Sequence, residues 1–92
     1  MEHEAIIELC NQALEPLRPQ LPPSLYREVH DLINRYDEWG IGMEFLIDWI
    51  GEFEIEITAE QLRKIEAAMT AMDWAESDRM LWLRSYWSER AS

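Results

Sequence analysis

Residues 41–52 read IGMEFLIDWIGE, and this stretch determines the predicted architecture. At about 100° per residue, its apolar side chains cover about two thirds of a helix circumference, while Glu44, Asp48 and Glu52 line the remainder. A helix with so broad an apolar surface is expected at the centre of a bundle, with only its acidic stripe in water. Residues 41–52 are therefore predicted to form the central helix of a small all-α bundle of about four to five helices.

Two further helices are predicted before the central helix. Residues 2–17 carry apolar side chains at helical spacing, and four prolines between residues 16 and 23 predict a stiff connector. Ser24 is the predicted N-cap of the second helix, because its hydroxyl can accept a hydrogen bond from a free amide of the first turn. Residues 37–40 are predicted to end that helix, with Gly40 in the left-handed turn.

The sequence after the central helix predicts an extended link and two more helices. Residues 52–57 read EFEIEI, and this alternation is typical of an extended segment whose apolar side chains pin it to the core. Thr58 and Gln61 have the spacing of a capping box at the start of a fourth helix. The fifth helix is predicted to begin at Ser77, or at Asp73, and to extend to about residue 90.

The composition predicts one acidic globular domain over residues 1–92. Nearly half of the chain is apolar, and it contains only three glycines. A net charge of −11 at pH 7 argues against direct binding to nucleic acid or to an anionic membrane. The single cysteine, Cys10, is expected in the core, and neither a signal-peptide pattern nor a membrane-spanning stretch is apparent. We therefore expect a cytoplasmic protein.

Candidate catalytic and metal-binding groups are few. His30 precedes Asp31 in the predicted second helix, where successive residues face different directions, so the two are not expected to form a dyad. The carboxylates of the central helix run along its length and do not converge, and no Glu-x-x-His pattern is present. The sequence predicts no catalytic residue, no cofactor and no metal ligand, and it disfavours an enzyme that uses a carboxylate-bound metal.

The segment between Tyr36 and Leu62 contains eight carboxylates and no lysine or arginine. Such a run destabilises the fold by self-repulsion, and it is typical of a surface that binds a positively charged partner. A solvated acidic face is the simpler alternative, but the interleaved Trp, Phe and Ile residues favour a binding surface. The predicted partner-binding residues, with the tryptophan as an aromatic anchor, are Asp37, Glu38, Trp39, Glu44, Asp48, Glu52, Glu54 and Glu56.

A recognisable pattern extends over the acidic run. It consists of Glu38 and Gly40, then Met43-Glu44-x-Leu46-x-Asp48-x-Ile50-x-Glu52, then Ile55-x-Ile57-Thr58. With this pattern, residues 31–72 resemble the small immunity proteins of bacterial polymorphic-toxin systems, including those of contact-dependent growth inhibition and especially the Maf-type immunity family. The resemblance implies a cytoplasmic all-helical protein that binds one toxin domain, often a nuclease, and blocks its active site or its access to substrate.

Both lines of reasoning predict an inhibitor of a basic protein. Nucleases present a basic cleft, so an inhibitor can place carboxylates where phosphates would lie. Charge reversal at Glu44, Asp48 and Glu52 is then expected to weaken binding without unfolding the domain. The alternative is a structural or adaptor module that acts by homodimerisation or by packing on a partner helix, and the broad apolar surfaces of the third and fifth helices favour it.

Overall fold

The computed structural model describes residues 2–91 as five α-helices and one 3₁₀ helix, and no strand occurs in this range. This confirms the predicted all-α bundle. In chain order the elements are α1 (His3–Leu14), the 3₁₀ helix (Glu15–Gln20), α2 (Pro23–Asn34), α3 (Trp39–Glu52), α4 (Ala59–Ala71) and α5 (Asp78–Ala91).

Helix α3 lies at the centre of the molecule, as the sequence predicts. It contacts each of the other four α-helices. Met43, Leu46, Ile47 and Ile50 of α3 are fully buried, and side chains of all five α-helices join them in one apolar core. Cys10 of α1 is part of this core, which confirms its expected position. Helix α2 packs mainly on α3, whereas α1 and α4 pack mainly on each other, and α5 contacts both α3 and α4.

The boundaries around α2 differ from the prediction. Helix α2 begins at Pro23 and its N-cap is Pro22, so Ser24 does not cap it. Proline is favoured in the first helical turn because its fixed φ suits the helix and its missing N–H has no partner there in any case. The left-handed residue after α2 is Asp37, with φ of 54°, and not Gly40, which lies buried inside α3.

The link between α3 and α4 is confirmed only in its second half. Ile55 and Ile57 are buried and pin residues 55–58, which lie outside any helix. Phe53 was expected to pin the link as well, but it is 44% exposed. The reason is that α3 continues to Glu52 and the chain turns at Glu54, whose φ is 49°. The extended conformation therefore begins later than the alternating sequence suggests.

Helices α4 and α5 begin as their capping residues predict. The Thr58 hydroxyl accepts from the Gln61 amide at 3.0 Å, and the Gln61 side chain accepts from the Thr58 amide at 2.8 Å, which confirms the capping box. The Ser77 hydroxyl accepts from the Met80 amide at 3.3 Å at the start of α5. Among residues 2–91, we find no helix whose length and apolar character would let it cross a membrane.

Candidate protein-binding surface

Residues from the C-terminal part of the chain pack against one side of α3. Positions 40, 44, 48 and 51 fall on the same side of the helix, because they repeat at helical spacing. A Cβ added at Gly40 would lie 2.7 Å from Cη2 of Trp74, and one added at Gly51 would lie 2.7 Å from Cη2 of Trp82. The two glycines therefore let two indole rings lie against the α3 backbone.

Between the two glycines, α3 is bound by Arg79 of α5. Arg79 Nη1 donates to Glu44 Oε2 at 2.8 Å, and its Nε and Nη2 donate to the two oxygens of Asp48 at 3.0 and 3.2 Å. The hydrogen bond with Asp48 is the main cause that raises the pKa of the Arg79 guanidinium above its usual value. Two carboxylates of the acidic run thus have a cation within the same chain, and helix packing accounts for part of that run.

A groove of about 370 Å³ lies beside this contact, between α3 and α5. We name it the α3–α5 groove, and it is lined by Asp48, Gly51, Glu52, Asp78, Arg79 and Trp82. Trp82 is 43% exposed. Both oxygens of Asp48 are bound by Arg79, so a basic side chain placed in the groove would meet the carboxylates of Glu52 and Asp78 and an indole ring, which are suitable partners for a guanidinium or ammonium group.

A row of apolar side chains follows the outer side of α3. This outer row consists of Ile41, Phe45, Trp49 and Phe53, spaced four residues apart. Ile41 and Phe53 are 40% and 44% exposed, while Phe45 and Trp49 are half-buried. The ring centroids are 6.4 Å apart for Phe45 and Trp49 and 6.1 Å apart for Trp49 and Phe53. The expectation that only the acidic stripe of α3 would reach water is therefore wrong.

The remaining predicted partner-binding residues lie at the two ends of α3. Asp37 and Glu38 are exposed before its first turn, and Glu54 and Glu56 are exposed after its last turn. These two groups are separated by the helix length, which is about 20 Å for a helix of this size. The predicted residues therefore do not form one compact cluster.

Trp39 is more enclosed than an aromatic anchor would be. It is half-buried against the core, its ring centroid is 5.8 Å from that of His3, and its Nε1 is buried. No hydrogen-bond partner for this Nε1 occurs among the described residues. Its role as an anchor stays a prediction, and the more exposed Trp82 is better placed for contact with a partner.

Glu54 and Glu56 lie on the α5 side of the molecule. Burial raises the pKa of the Tyr86 hydroxyl, and Arg90 partly offsets this effect. Glu54 and Glu56 raise the pKa of the same hydroxyl further. Tyr86 in turn stacks on Trp82, with ring centroids 4.9 Å apart. This stack connects the α3–α5 groove to the two carboxylates of the link. We name Glu52, Glu54, Glu56 and Asp78 the acidic surface.

Sequence reasoning did not identify Asp78, Arg79 and Trp82 as site residues. It gave neither Trp82 nor Arg79 a role in binding. A usable signal was present in α3, because one side of that helix carries two acidic residues, at positions 44 and 48, between two glycines, at positions 40 and 51. Such a side accepts a helix that presents a large ring and a cation, and α5 carries both.

His30 and Cys10 are of the residue types that catalysis most often uses. His30 Nδ1 lies 3.3 Å from Asp31 Oδ1, so the two side chains meet although these residues are successive in a helix, which the sequence reasoning did not expect of a potential dyad. Both residues are partly exposed. Burial raises the pKa of the Cys10 thiol to about 12, which keeps it protonated and unreactive at neutral pH. Residues 2–91 contain no group of three or more His, Cys, Asp or Glu residues placed to hold a metal ion.

Comparisons of the chain with protein-family models, with curated proteins and with solved structures find no match. The chemistry of the surface is therefore deduced from its own residues. These residues form an acidic groove with an exposed indole, next to an apolar row on the central helix.

Proposed function

We propose that this protein binds and neutralises a basic protein domain, in the manner of a bacterial immunity protein that inhibits a toxin nuclease. The observation that carries the proposal is the α3–α5 groove, which Glu52, Asp78 and the exposed Trp82 line beside the Arg79–Asp48 ion pair. A basic side chain of a partner would be bound there by the carboxylates of Glu52 and Asp78. The resemblance of residues 31–72 to immunity proteins supports the same function.

The surroundings of the groove have the composition of a protein interface. Stable interfaces combine an apolar, often aromatic centre with a polar rim. The outer row supplies the apolar centre through Phe45, Trp49 and the exposed Phe53. The acidic surface supplies a charged rim that would speed association with a cationic partner and make that association sensitive to salt.

The second candidate is an adaptor module that forms homodimers, and the exposure of the outer row favours it. Two copies would each bring a net charge of −11 to the complex, so their mutual repulsion opposes this assembly. Analytical ultracentrifugation separates the candidates. A stable homodimer that does not bind basic proteins would support the module, and a monomer that forms a one-to-one complex would support the inhibitor.

The direct test is co-expression with the toxin domain encoded beside the gene of this protein. We expect rescue of growth and a complex that survives purification. Glu52→Lys/Glu56→Lys is expected to reduce the association rate and to weaken rescue, because it places cations on the acidic surface. The matched control is Glu8→Lys/Glu28→Lys, which makes the same change in net charge at exposed positions on α1 and α2. Absence of both rescue and complex would refute the proposal.

Glu44 and Asp48 are unsuitable for this experiment. Both bind Arg79, so a lysine at either position would oppose a guanidinium and weaken the contact between α3 and α5. Charge reversal at these two positions is therefore expected to lower stability as well as binding, so a loss of binding could not be assigned to the surface alone. Glu52 and Glu56 are exposed, and neither forms an ion pair with another of the residues that the structure describes. Equal binding by the variant and its control would exclude the acidic surface from the interface.

A further inference from the structure

The 3₁₀ helix and α2 enclose a second groove, whose charge is opposite to that of the rest of the molecule. Its volume is about 890 Å³, and it is formed mainly by Arg18, Tyr26, Arg27, His30, Asp31 and Arg35. The lining thus includes three arginines and one aspartate, with Glu15 at the edge, in a chain with 19 acidic and only 8 basic residues. We name it the arginine groove.

The guanidinium groups of the arginine groove are poorly neutralised by the protein itself. Arg18 has only a long contact of 3.9 Å with Glu15, and both side chains are largely exposed. Asp31 lies one helical turn from both Arg27 and Arg35, but its carboxylate faces His30 at 3.3 Å. Within residues 2–91, no carboxylate oxygen lies within 4.0 Å of the guanidinium nitrogens of Arg27 or Arg35. The groove therefore keeps a local positive potential.

The groove also has an aromatic wall. The rings of Tyr26 and His30 are inclined by 32°, with centroids 5.8 Å apart, and the Arg18 guanidinium lies 4.5 Å from the Tyr26 centroid. The Tyr26 hydroxyl donates to the carboxylate of Glu15, which fixes the ring at the edge of the groove. A ligand held by Arg27 and Arg35 would therefore have planar surfaces beside it.

We propose that the arginine groove binds a small organic phosphate with a planar ring, as in a nucleotide. Guanidinium groups bind phosphate oxygens through paired hydrogen bonds. Arg27 of α2 and Arg35, the C-cap residue of that helix, line the same groove two helical turns apart, so a ligand with two phosphates could contact both. The Arg35 guanidinium lies 5.6 Å from the centroid of the Tyr36 ring, which leaves its hydrogen-bond donors available. A groove of about 890 Å³ has the size of sites for small organic ligands, far more than an inorganic anion fills. This site is independent of the proposed inhibitor function, because it uses none of the residues of the acidic surface.

The test is isothermal titration calorimetry of the full chain with inorganic pyrophosphate and with ADP, which carries the same diphosphate on an organic body. We expect saturable binding of both at one site, with higher affinity for ADP. Arg27→Gln/Arg35→Gln is expected to reduce both affinities by about tenfold or more. The matched control, Arg63→Gln/Arg90→Gln, removes the same charge from exposed positions outside the groove and is expected to retain binding.

Four outcomes would overturn the proposal. They are the absence of saturable binding by the native chain, an equal loss of affinity in both double variants, equal affinities for pyrophosphate and ADP, and tighter binding of a hexaglutamate peptide than of ADP. Arg27 and Arg35 are exposed, so both variants are expected to fold, and circular dichroism would verify their helix content.

Discussion

Arg79 joins α5 to α3, and its removal is expected to lower the free energy of unfolding. Arg79→Ala would delete three hydrogen bonds and leave Glu44 and Asp48 one helical turn apart with no cation between them. We expect the free energy of unfolding to fall by about 1 kcal/mol, the upper part of the range for exposed ion pairs, because the contact with Asp48 is bidentate. Urea denaturation followed by circular dichroism would measure it.

The control for this prediction is Arg63→Ala. Arg63 is exposed on α4 and forms no ion pair within the described part of the chain, so its loss is expected to change stability by less than about 0.5 kcal/mol. The effect of Arg79→Ala is expected to shrink in high salt, which screens the charges that it separates. Equal destabilisation by the two substitutions would show that the network contributes nothing beyond an ordinary surface arginine.

The buried thiol of Cys10 makes the free energy of unfolding depend on pH in the alkaline range. Burial raises the pKa of its thiol in the folded state from 9.0 to about 12, so only the unfolded chain releases this proton between those values. The free energy of unfolding therefore falls progressively as the pH rises from about 9 to 12. Below pH 9 the thiol is protonated in both states, and its stabilising contribution is fully present. Native Cys10 is expected to resist alkylation at pH 8, and rapid alkylation of the folded protein would contradict its burial.

A comparison with Cys10→Ala isolates this effect. The variant has a lower free energy of unfolding at pH 7, because it leaves a small cavity in the core. Its stability is expected to decline less steeply than that of the native chain above pH 9. Tyr26 and Tyr86 also have raised pKa values and contribute to the decline in both proteins, so the difference between the two slopes reports Cys10 alone.

At the scale of single residues, the sequence indicates which groups carry charge but not what lies opposite them. Glu44 and Asp48 were recognised as a ladder of like charges that a cation should relieve. The cation is Arg79, more than 30 positions further along the chain, and no local pattern predicts that separation. Glu44 and Asp48, which the sequence assigns to partner binding, thus bind a cation of the same chain.

At the scale of elements, helix starts that depend on local contacts were predictable. Thr58 and Gln61 satisfy each other's backbone amides within one turn, so four residues of sequence contain the whole interaction. We expect Thr58→Ala to lower the free energy of unfolding by about 1 kcal/mol. The control is Thr70→Ala in the same helix, where the exposed threonine caps nothing and alanine is the better helix former. A loss at position 70 as large as that at position 58 would argue against the cap.

The ends of α3 were not predictable, because distant contacts determine them. Gly40 has the local signature of a helix C-terminus, but its missing side chain makes room for Trp74 against the first turn of α3. Phe53 fits the alternating pattern of the link, but it continues the outer row of α3, spaced four residues after Trp49. At Gly40, tertiary packing overrides a local signal. At Phe53, the four-residue spacing of the helix prevails over the alternation of the link.

At the scale of the whole molecule, charge is distributed unevenly over the elements. The acidic surface lies on α3, the link and α5, while the arginine groove lies on the 3₁₀ helix and α2. Scattered acidic residues would suffice for solvation, so carboxylates that lie close together beside an exposed indole favour the proposed binding surface. Repulsion between these neighbouring carboxylates lowers the stability of the fold, and this loss of stability can be measured without knowledge of a partner.

Thermal stability therefore distinguishes a binding surface from an ordinary solvated face. Glu52→Lys/Glu56→Lys removes repulsion within the acidic surface and is expected to raise the Tm at low salt, because residues kept for binding often reduce stability. Glu8→Lys/Glu28→Lys makes the same change in net charge outside that surface and is expected to raise the Tm less. The difference should diminish at about 0.1 M salt and above, where the Debye length falls to about 10 Å or less. Equal increases in Tm for the two variants would mean that only net charge matters and that these carboxylates serve solubility.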